Sequence, residues 1–362
     1  MSDPPTVTAG HGSAESDGPI PANPAGPAKH RRRRRTRRFL LAAGVAVVLV
    51  LGLAGIGGTV LIRRYDDAVA KDTLLAPSAR VDAPHATVVG PLNFLLIGSD
   101  YRTWSPDAGQ RSDTIIIAHL PQALDHVYLI SVPRDLLVEL PAVPELNFPG
   151  ATTKINAAFD YGRGGRLGVQ LLSHTLTNLM GVRFDGAAVI DFSGLQKAVD
   201  ILGGVEVCVD VRVVSVHTRT VFEPGCRVMG SKDVLDYLRQ RNFPDGDFSR
   251  QRHQQQFLKA FFDRAVSMGM LTNPLKLDSL LRAVAGSMTV DTGAKSLPDL
   301  VLALRDLRPG DMTGVKIPSH IGVIDNVSYV IPSADAEGLF VALRTDALSA
   351  WVATHPQWVN RI

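Results

Sequence analysis

Residues 91–135 read PLNFLLIGSDYRTWSPDAGQRSDTIIIAHLPQALDHVYLISVPRD. Three apolar runs of strand length stand out, Leu92–Ile97, Thr114–Leu120 and Val127–Val132, each rich in Ile, Leu and Val and bounded by Gly, Pro, Asp or Ser. The connections are too short for a crossover helix, so the pattern predicts antiparallel neighbours. That topology sends Asp100, Arg111, Asp113, Arg134 and Asp135 to one edge of a sheet.

Farther along, the period changes. A loop with several prolines is expected over 135–153, then a helix near Asn156, whose side chain could cap it. Apolar positions at 167, 171, 172, 176, 179 and 180 form a helical stripe, and Gly181 sits where a C-cap belongs. Ala187–Phe192 and Val205–Val211 read as strands around a short helix at Gly194–Leu202. Ser231–Gln240 reads as a helix, PDGD at 244–247 as a turn, and a longer helix starts near Ser249. Helices are expected near 274–286, 296–307 and 333–354, with strands near 312–317 and 327–331. No catalytic chemistry stands out after residue 270, which is read as an α/β part (271–362) packed beside the main domain.

The beginning of the chain is different. Residues 1–28 are rich in Pro, Gly, Ala and Ser, a composition that predicts disorder. HRRRRRTRR follows at 30–38, and then Phe39–Ile62, 24 residues without a charge. That length suits a transmembrane helix and exceeds a signal-peptide core. Arginines on its N-terminal side predict a cytoplasmic tail (1–38) and an extracytoplasmic body in a single-pass membrane protein. Residues 63–84 read as a stalk and 85–270 as the main domain.

Composition sharpens this reading. The chain has 362 residues and a net charge of +3. Lys29, Arg31–Arg35, Arg37, Arg38, Arg63 and Arg64 supply the positive balance, leaving a body with more carboxylates than basic side chains. This weighs against a nucleic-acid surface on the body. There is no GxGxxG, P-loop or GxSxG. Cys208 and Cys226 are the only cysteines. They suit one disulfide closing a hairpin-like insert, worth roughly 3 kcal/mol in the chain-entropy picture, or two unlinked buried thiols; a zinc site is not expected.

Two features carry candidate chemistry. Asp100 and Asp113 could hold a divalent ion, and Arg111 and Arg134 could clamp phosphate oxygens. Arg239, Arg241, Arg250, Arg252 and His253 crowd one helix–turn–helix junction at a helix start, where free amide hydrogens favour anions. Arg250, His253 and Gln254 lie at i, i+3 and i+4 on the first turn.

The words NFLLIGSD, RSDTIII, ISVPRD and KINAAF, the GGVEV strand, an RxR and a DxxR…Q helix start, in this order and spacing, resemble the LytR-CpsA-Psr (LCP) family of bacterial cell-envelope phosphotransferases. The resemblance implies a three-layer α/β/α sandwich around a mixed sheet. It implies transfer of a glycopolymer from a polyprenyl-pyrophosphate carrier to peptidoglycan or another wall acceptor, with Mg²⁺ (Mn²⁺ is an alternative). Carried over, Asp100 and Asp113 hold the metal. Arg111, Arg134, Arg239, Arg241 and Arg250 hold the pyrophosphate, with Gln254 beside them. Arg111, Asp113 and Arg134 are the catalytic set, with Asp113 or Arg111 as proton acceptor. Where the family has Arg before that Gln, this chain has His253, which either takes over the task or leaves a weaker site. The isoprenoid tail is expected between helices 156–180 and 249–269 and the sheet. A non-catalytic polyprenyl-phosphate-binding envelope protein and a pyrophosphatase share these features, whereas a transcription regulator would need DNA on the other side of the membrane.

Overall fold

The computed structural model describes residues 70–82, 87–100, 112–243, 245–270 and 273–362. The expected tail, the apolar run 39–62 and Arg111 lie outside these residues.

In chain order the strands and helices open with β1 (Ala70–Lys71), β2 (Leu92–Ser99), β3 (Ser112–Leu120), β4 (Val127–Ser131), β5 (Leu137–Leu140) and β6 (Ala151–Lys154). Next come α1 (Ala157–Tyr161), α2 (Gly165–Met180), β7 (Gly186–Asp191) and α3 (Phe192–Ile201). They are followed by β8 (Val205–Val209), β9 (Val213–Val214), β10 (Val221–Phe222), β11 (Gly225–Met229), α4 (Ser231–Leu238) and α5 (Asp247–Ser267). The remainder is α6 (Pro274–Val284), β12 (Met288–Asp291), α7 (Leu297–Ala303), β13 (Met312–Lys316), β14 (Ser319–Ile324), β15 (Val327–Pro332), α8 (Asp335–Arg344), α9 (Leu348–Thr354) and β16 (Val359–Asn360).

The central sheet has eight strands in the order β1-β12-β7-β2-β3-β4-β13-β16. It is mixed: β2–β3 and β3–β4 are antiparallel, as their short connections require, while β2–β7 and β4–β13 are parallel. Side-chain alternation divides its two faces. Leu95, Ile97, Ile115, Ile117 and Ile130 pack with α1, α2, α8 and α9. Leu92, Ile116, Ala118 and Leu129, with Phe94 and Leu96, face the other way, toward Leu258 and Phe262 of α5. A third cluster joins α3, α4 and α5 to β8 and β11 around Val199, Val207, Tyr237 and Phe257.

Several expectations are corrected by long-range pairing. The folded body starts before residue 85. β1 pairs with β12, and Leu74, Leu75 and Ala79 are buried in the core. The Asp291 carboxylate holds this segment, accepting from Leu74 N (2.9 Å), Leu75 N (3.2 Å) and Arg80 Nη2 (2.7 Å). The part after residue 270 does not sit beside the sheet. Through β12, β13 and β16 it belongs to the sheet. The expected helix 333–354 is two helices, separated where Asp346 takes φ +55°. Asn156 precedes α1 without capping it through its side chain. Gly181 does end α2 in the left-handed conformation, as expected.

Candidate functional site

The ends of β2 and β4 and the start of β3 meet at one sheet edge, so the side chains follow directly from topology. Asp113, second residue of β3, accepts on Oδ1 from Arg134 Nη1 (2.5 Å), just after β4, and from Arg241 Nη2 (3.2 Å), just after α4. Burial alone would raise the Asp113 pKa. The guanidiniums of Arg134, Arg250 and Arg241 outweigh it and hold the carboxyl below the usual range, so it is ionised. Burial likewise opposes the charge on Arg134, and Asp113, Asp135 and Asp247 more than offset it.

Arg250 is the deepest cation, 2% exposed on the first turn of α5. Burial pushes its guanidinium down from the ordinary value, with partial relief from its ion-pair partner Asp247. Arg134 Nε and Arg250 Nε are both buried without a hydrogen-bond acceptor among the described residues. Arg134 Nε has its ion-pair partner Asp135 Oδ2 at 3.5 Å and Arg250 is paired with Asp247, so an anion entering here would compete with carboxylates for these guanidiniums.

These groups occupy the polar end of a cavity of about 810 Å³. Asp100, Asp113, Arg134, Arg239, Arg241, Arg250 and Gln254 line that end. Most of the remaining lining is apolar, with Leu96 and Ile116 from the sheet, Leu195 from α3, Leu238 from α4, and Phe257 and Leu258 from α5, alongside the polar Thr114, Asp191, His217 and Asn242. Arg239 also stands over the Phe192 ring, 4.8 Å from its centroid. The walls are therefore α3, α4 and α5. The helices within 156–180, expected here, pack on the opposite face of the sheet. Strand alternation defines two faces without saying which helices cover each.

His253 is a second correction. It does not line the cavity. Its side chain is buried, with Nε2 3.1 Å from Asp210 Oδ1 and its ring against Tyr237 (4.9 Å) and Phe243 (4.6 Å). Burial lowers its pKa and Asp210 only partly restores it. Arg252 Nη2 donates to the other Asp210 oxygen at 2.5 Å. The physical reason is helical: adjacent positions differ by ~100°, so Gln254 and His253 fall on opposite sides of Arg250. Only the Gln254 side faces the cavity. Asp210, just beyond β8, holds both rejected side chains, and sequence reasoning missed it because the pairing spans 43 residues.

The cysteines are linked. Cys208 and Cys226 lie directly opposite each other on β8 and β11, joined by a disulfide. The hairpin they close is tied to α4 through Ser215 Oγ to Asp236 Oδ1 (2.7 Å) and Gln240 Nε2 to Ser215 Oγ (3.0 Å). This places Val216 and His217 on the cavity wall, a contribution the sequence reading did not foresee.

Asp100 and Asp113 both line the cavity and are the carboxylates that could hold a metal. Among the described residues no group of three or more His, Cys, Asp or Glu side chains is arranged around a common point. Two carboxylates beside a guanidinium cluster would suit Mg²⁺, which keeps waters and shares ligands with phosphates, better than a metal needing a full protein cage.

The LytR_cpsA_psr family model matches residues 59–342. The "Probable cell wall biosynthesis protein LcpB" of Corynebacterium glutamicum is 32% identical over 285 residues, covering 73% of this chain and 64% of that protein. The "Cell wall biosynthesis protein LcpA" of the same organism is 27% identical over 308 residues, covering 75% and 58%. The chain thus spans less than two thirds of the length of these curated relatives. Among solved structures, B. subtilis TagV aligns with a TM-score of 0.59 at 25% identity, covering 72% of this chain and 98% of TagV. A structure of "TagT bound to LI-WTA" shares the fold, with a TM-score of 0.58 at 19% identity over 75% of this chain and 98% of the other.

Proposed function

The chain belongs to the LytR_cpsA_psr family, and from that premise we propose that it is a membrane-anchored, Mg²⁺-dependent phosphotransferase. It moves a glycopolymer from a polyprenyl-pyrophosphate carrier to peptidoglycan or another wall acceptor. One observation carries the reading: a single cavity combines four guanidiniums and three carboxylates (Asp100, Asp113 and Asp191) with a largely apolar lining. That combination matches a molecule with a pyrophosphate head and a hydrocarbon tail.

In this reading Arg134, Arg239, Arg241 and Arg250 hold the pyrophosphate oxygens, with Gln254 alongside and Arg111 joining from outside the described residues. Asp100 and Asp113 hold Mg²⁺, which neutralises phosphate charge when bound. An acceptor hydroxyl oxygen bonds to the phosphorus that carries the sugar. The bridging P–O bond breaks, polyprenyl phosphate leaves with the electron pair, and the hydroxyl proton passes through solvent to the leaving phosphate oxygen. The guanidiniums stabilise charge on the transferring and leaving oxygens. Asp113 is a weak proton acceptor, because three arginines depress its pKa. Its task is to position charge, and no nearby Arg is a better base.

Residues 39–62 anchor the chain in the cell membrane, with the N-terminus cytoplasmic and the body outside. The disulfide supports an oxidising location.

A specific observation keeps a second reading in view: His253 stands where the family places an arginine and is turned out of the cavity, so the protein would bind carrier lipid without turnover. The test uses the purified protein, a lipid-linked pyrophosphoryl saccharide, a peptidoglycan acceptor and Mg²⁺, with Arg134→Ala and Asp113→Ala as controls. Labelled acceptor and released polyprenyl phosphate, both lost in the controls, are expected. Carrier binding without release selects the second reading. Release without labelled acceptor means hydrolysis.

A further inference from the structure

A second cleft, about 740 Å³, opens on the other side of the ion pairs that border the first cavity. Arg134 lines the cavity and its neighbour Asp135 lines the cleft. Arg250 lines the cavity and its partner Asp247 lines the cleft. The two spaces thus share one wall, which contains the candidate phosphate site.

The cleft is built from segments whose chemistry the first cavity does not use. Its outer wall is the β14–β15 hairpin, whose turn residues Asp325 and Asn326 take positive φ. Val330 N donates to Asp135 O at 2.9 Å, so the hairpin is fastened one residue beyond Arg134. Tyr329 and Trp358 line the cleft as half-buried rings, with Phe248 beside them. Lys154 Nζ stands 5.6 Å from the Tyr329 centroid and Lys316 Nζ 5.5 Å from that of Trp358. Asp135 is shared between Arg134 Nε (3.5 Å) and Lys154 Nζ (3.0 Å).

Asp135 and Asp247 already face cations and Asp245 adds a further carboxylate, so the cleft sets hydrogen-bond acceptors beside the Lys316 amine. Its polar lining suits hydrocarbon poorly, and the apolar cavity next door serves that need. Aromatic faces combined with neutralised carboxylates and amines fit a hydroxyl-rich ring, which packs its C–H face on an aromatic and hydrogen-bonds at its rim.

We propose that this cleft binds a carbohydrate, the acceptor of the transfer, with Tyr329 and Trp358 as its stacking rings. The inference rests on the transferase reading: the acceptor must approach the phosphorus from a space separate from the lipid, and this cleft adjoins the same arginines.

The test is calorimetric titration of the full chain in detergent with chitotetraose, a disaccharide–pentapeptide muropeptide and maltotetraose, with tetralysine as the cationic-peptide comparator. Inorganic pyrophosphate is titrated separately. At least one saccharide should saturate. Trp358→Ala and Tyr329→Ala should each weaken it about tenfold, while Trp358→Phe and Tyr329→Phe stay within about threefold. Ser328→Trp, which fills the cleft from an exposed strand position, should abolish binding without touching the core. Pyrophosphate affinity should stay unchanged in all of these variants. The inference is overturned if no saccharide saturates, if Ser328→Trp and the alanine variants bind like the parent, or if only tetralysine binds. Should the parent bind pyrophosphate but no saccharide, this inference fails alone. Should it bind no pyrophosphate, the transferase reading fails first.

Discussion

Asp113 and an incoming anion compete for the same guanidiniums. Asp113 Oδ1 already takes bonds from Arg134 and Arg241, and its depressed pKa keeps it charged at neutral pH. Asp113→Asn keeps the shape and removes that charge. A unit charge ~6 Å from a bound phosphate, at an effective dielectric of ~20–40, opposes binding by roughly 1.4–2.8 kcal/mol, or about 10–100-fold in Kd. Titration with inorganic pyrophosphate in chelator-containing buffer should therefore show the variant binding tighter by that factor. The gain should shrink in high salt, because the site is partly open to solvent. Adding Mg²⁺ should tighten the parent and leave the variant nearly unchanged, since the variant lacks one of the two carboxylates proposed to hold the ion. Transfer activity should fall in the variant despite its tighter binding. If the variant binds pyrophosphate more weakly without metal, Asp113 orders the arginines more than it repels the anion, and the competition picture is wrong.

Filling the apolar end of the cavity with Leu238→Trp should lower affinity for a long-chain polyprenyl phosphate at least tenfold while sparing pyrophosphate; equal loss of both would place the tail elsewhere. Gln255→Leu removes a buried amide whose Nε2 shares its two hydrogens among Leu129 O, Ser131 Oγ and Val315 O and whose Oε1 accepts from Asn360 Nδ2. At about 1 kcal/mol per bond plus an orphaned Asn360 donor, the cost is about 3–5 kcal/mol, read from the urea midpoint, and a change below 1 kcal/mol would contradict it. Cys208→Ser with Cys226→Ser should cost about 3 kcal/mol for a sequence separation of 18, matched by adding a reductant to the parent; no shift in either would show the hairpin is held by its hydrogen bonds alone. His119 and His253 are buried with pKa values below the ordinary 6.5, burial outweighing Asp346 and Asp210 respectively. The unfolded chain then binds more protons, so their contribution is complete above about pH 6.5 and is lost as pH falls through their folded values. Urea midpoints measured from pH 7.5 to 5 should fall, and His253→Phe should flatten the profile; a rise on acidification would refute the assignment.

The sheet edge was legible because local signals set it. Short turns force β2, β3 and β4 antiparallel, and that alone brings Asp113 and Arg134 together. The places of β1, β12, β13 and β16 were not legible, because their partners are remote in sequence and their lengths fall to two residues. The α5 start was half legible. Periodicity groups Arg250, His253 and Gln254 on one turn, but which flank meets the cavity depends on Asp210, Tyr237 and Phe243, none of them a neighbour on that helix. Tyr329 and Trp358 carried no signal at all, since two single aromatics 29 residues apart do not announce a shared cleft.

The Asp291 anchor bears on how the protein reaches its folded state. Leu74 waits for an acceptor 217 residues ahead of it in the chain. A chain emerging N-terminus first presents β2, β3 and β4 early, and these can pair through short loops as soon as they arrive. Leu74 and Leu75 have no such local option. Gln170 and Ser173 of α2 can engage Thr73 O and Ala76 N once that helix is made, but the Leu74 and Leu75 amides lack their carboxylate acceptor until β12 emerges and β1 can dock on it. Long-range closure of this kind is slow relative to hairpin formation, so TLLAPSA at 73–79 is fully fastened only after β12 has been made and has joined the sheet.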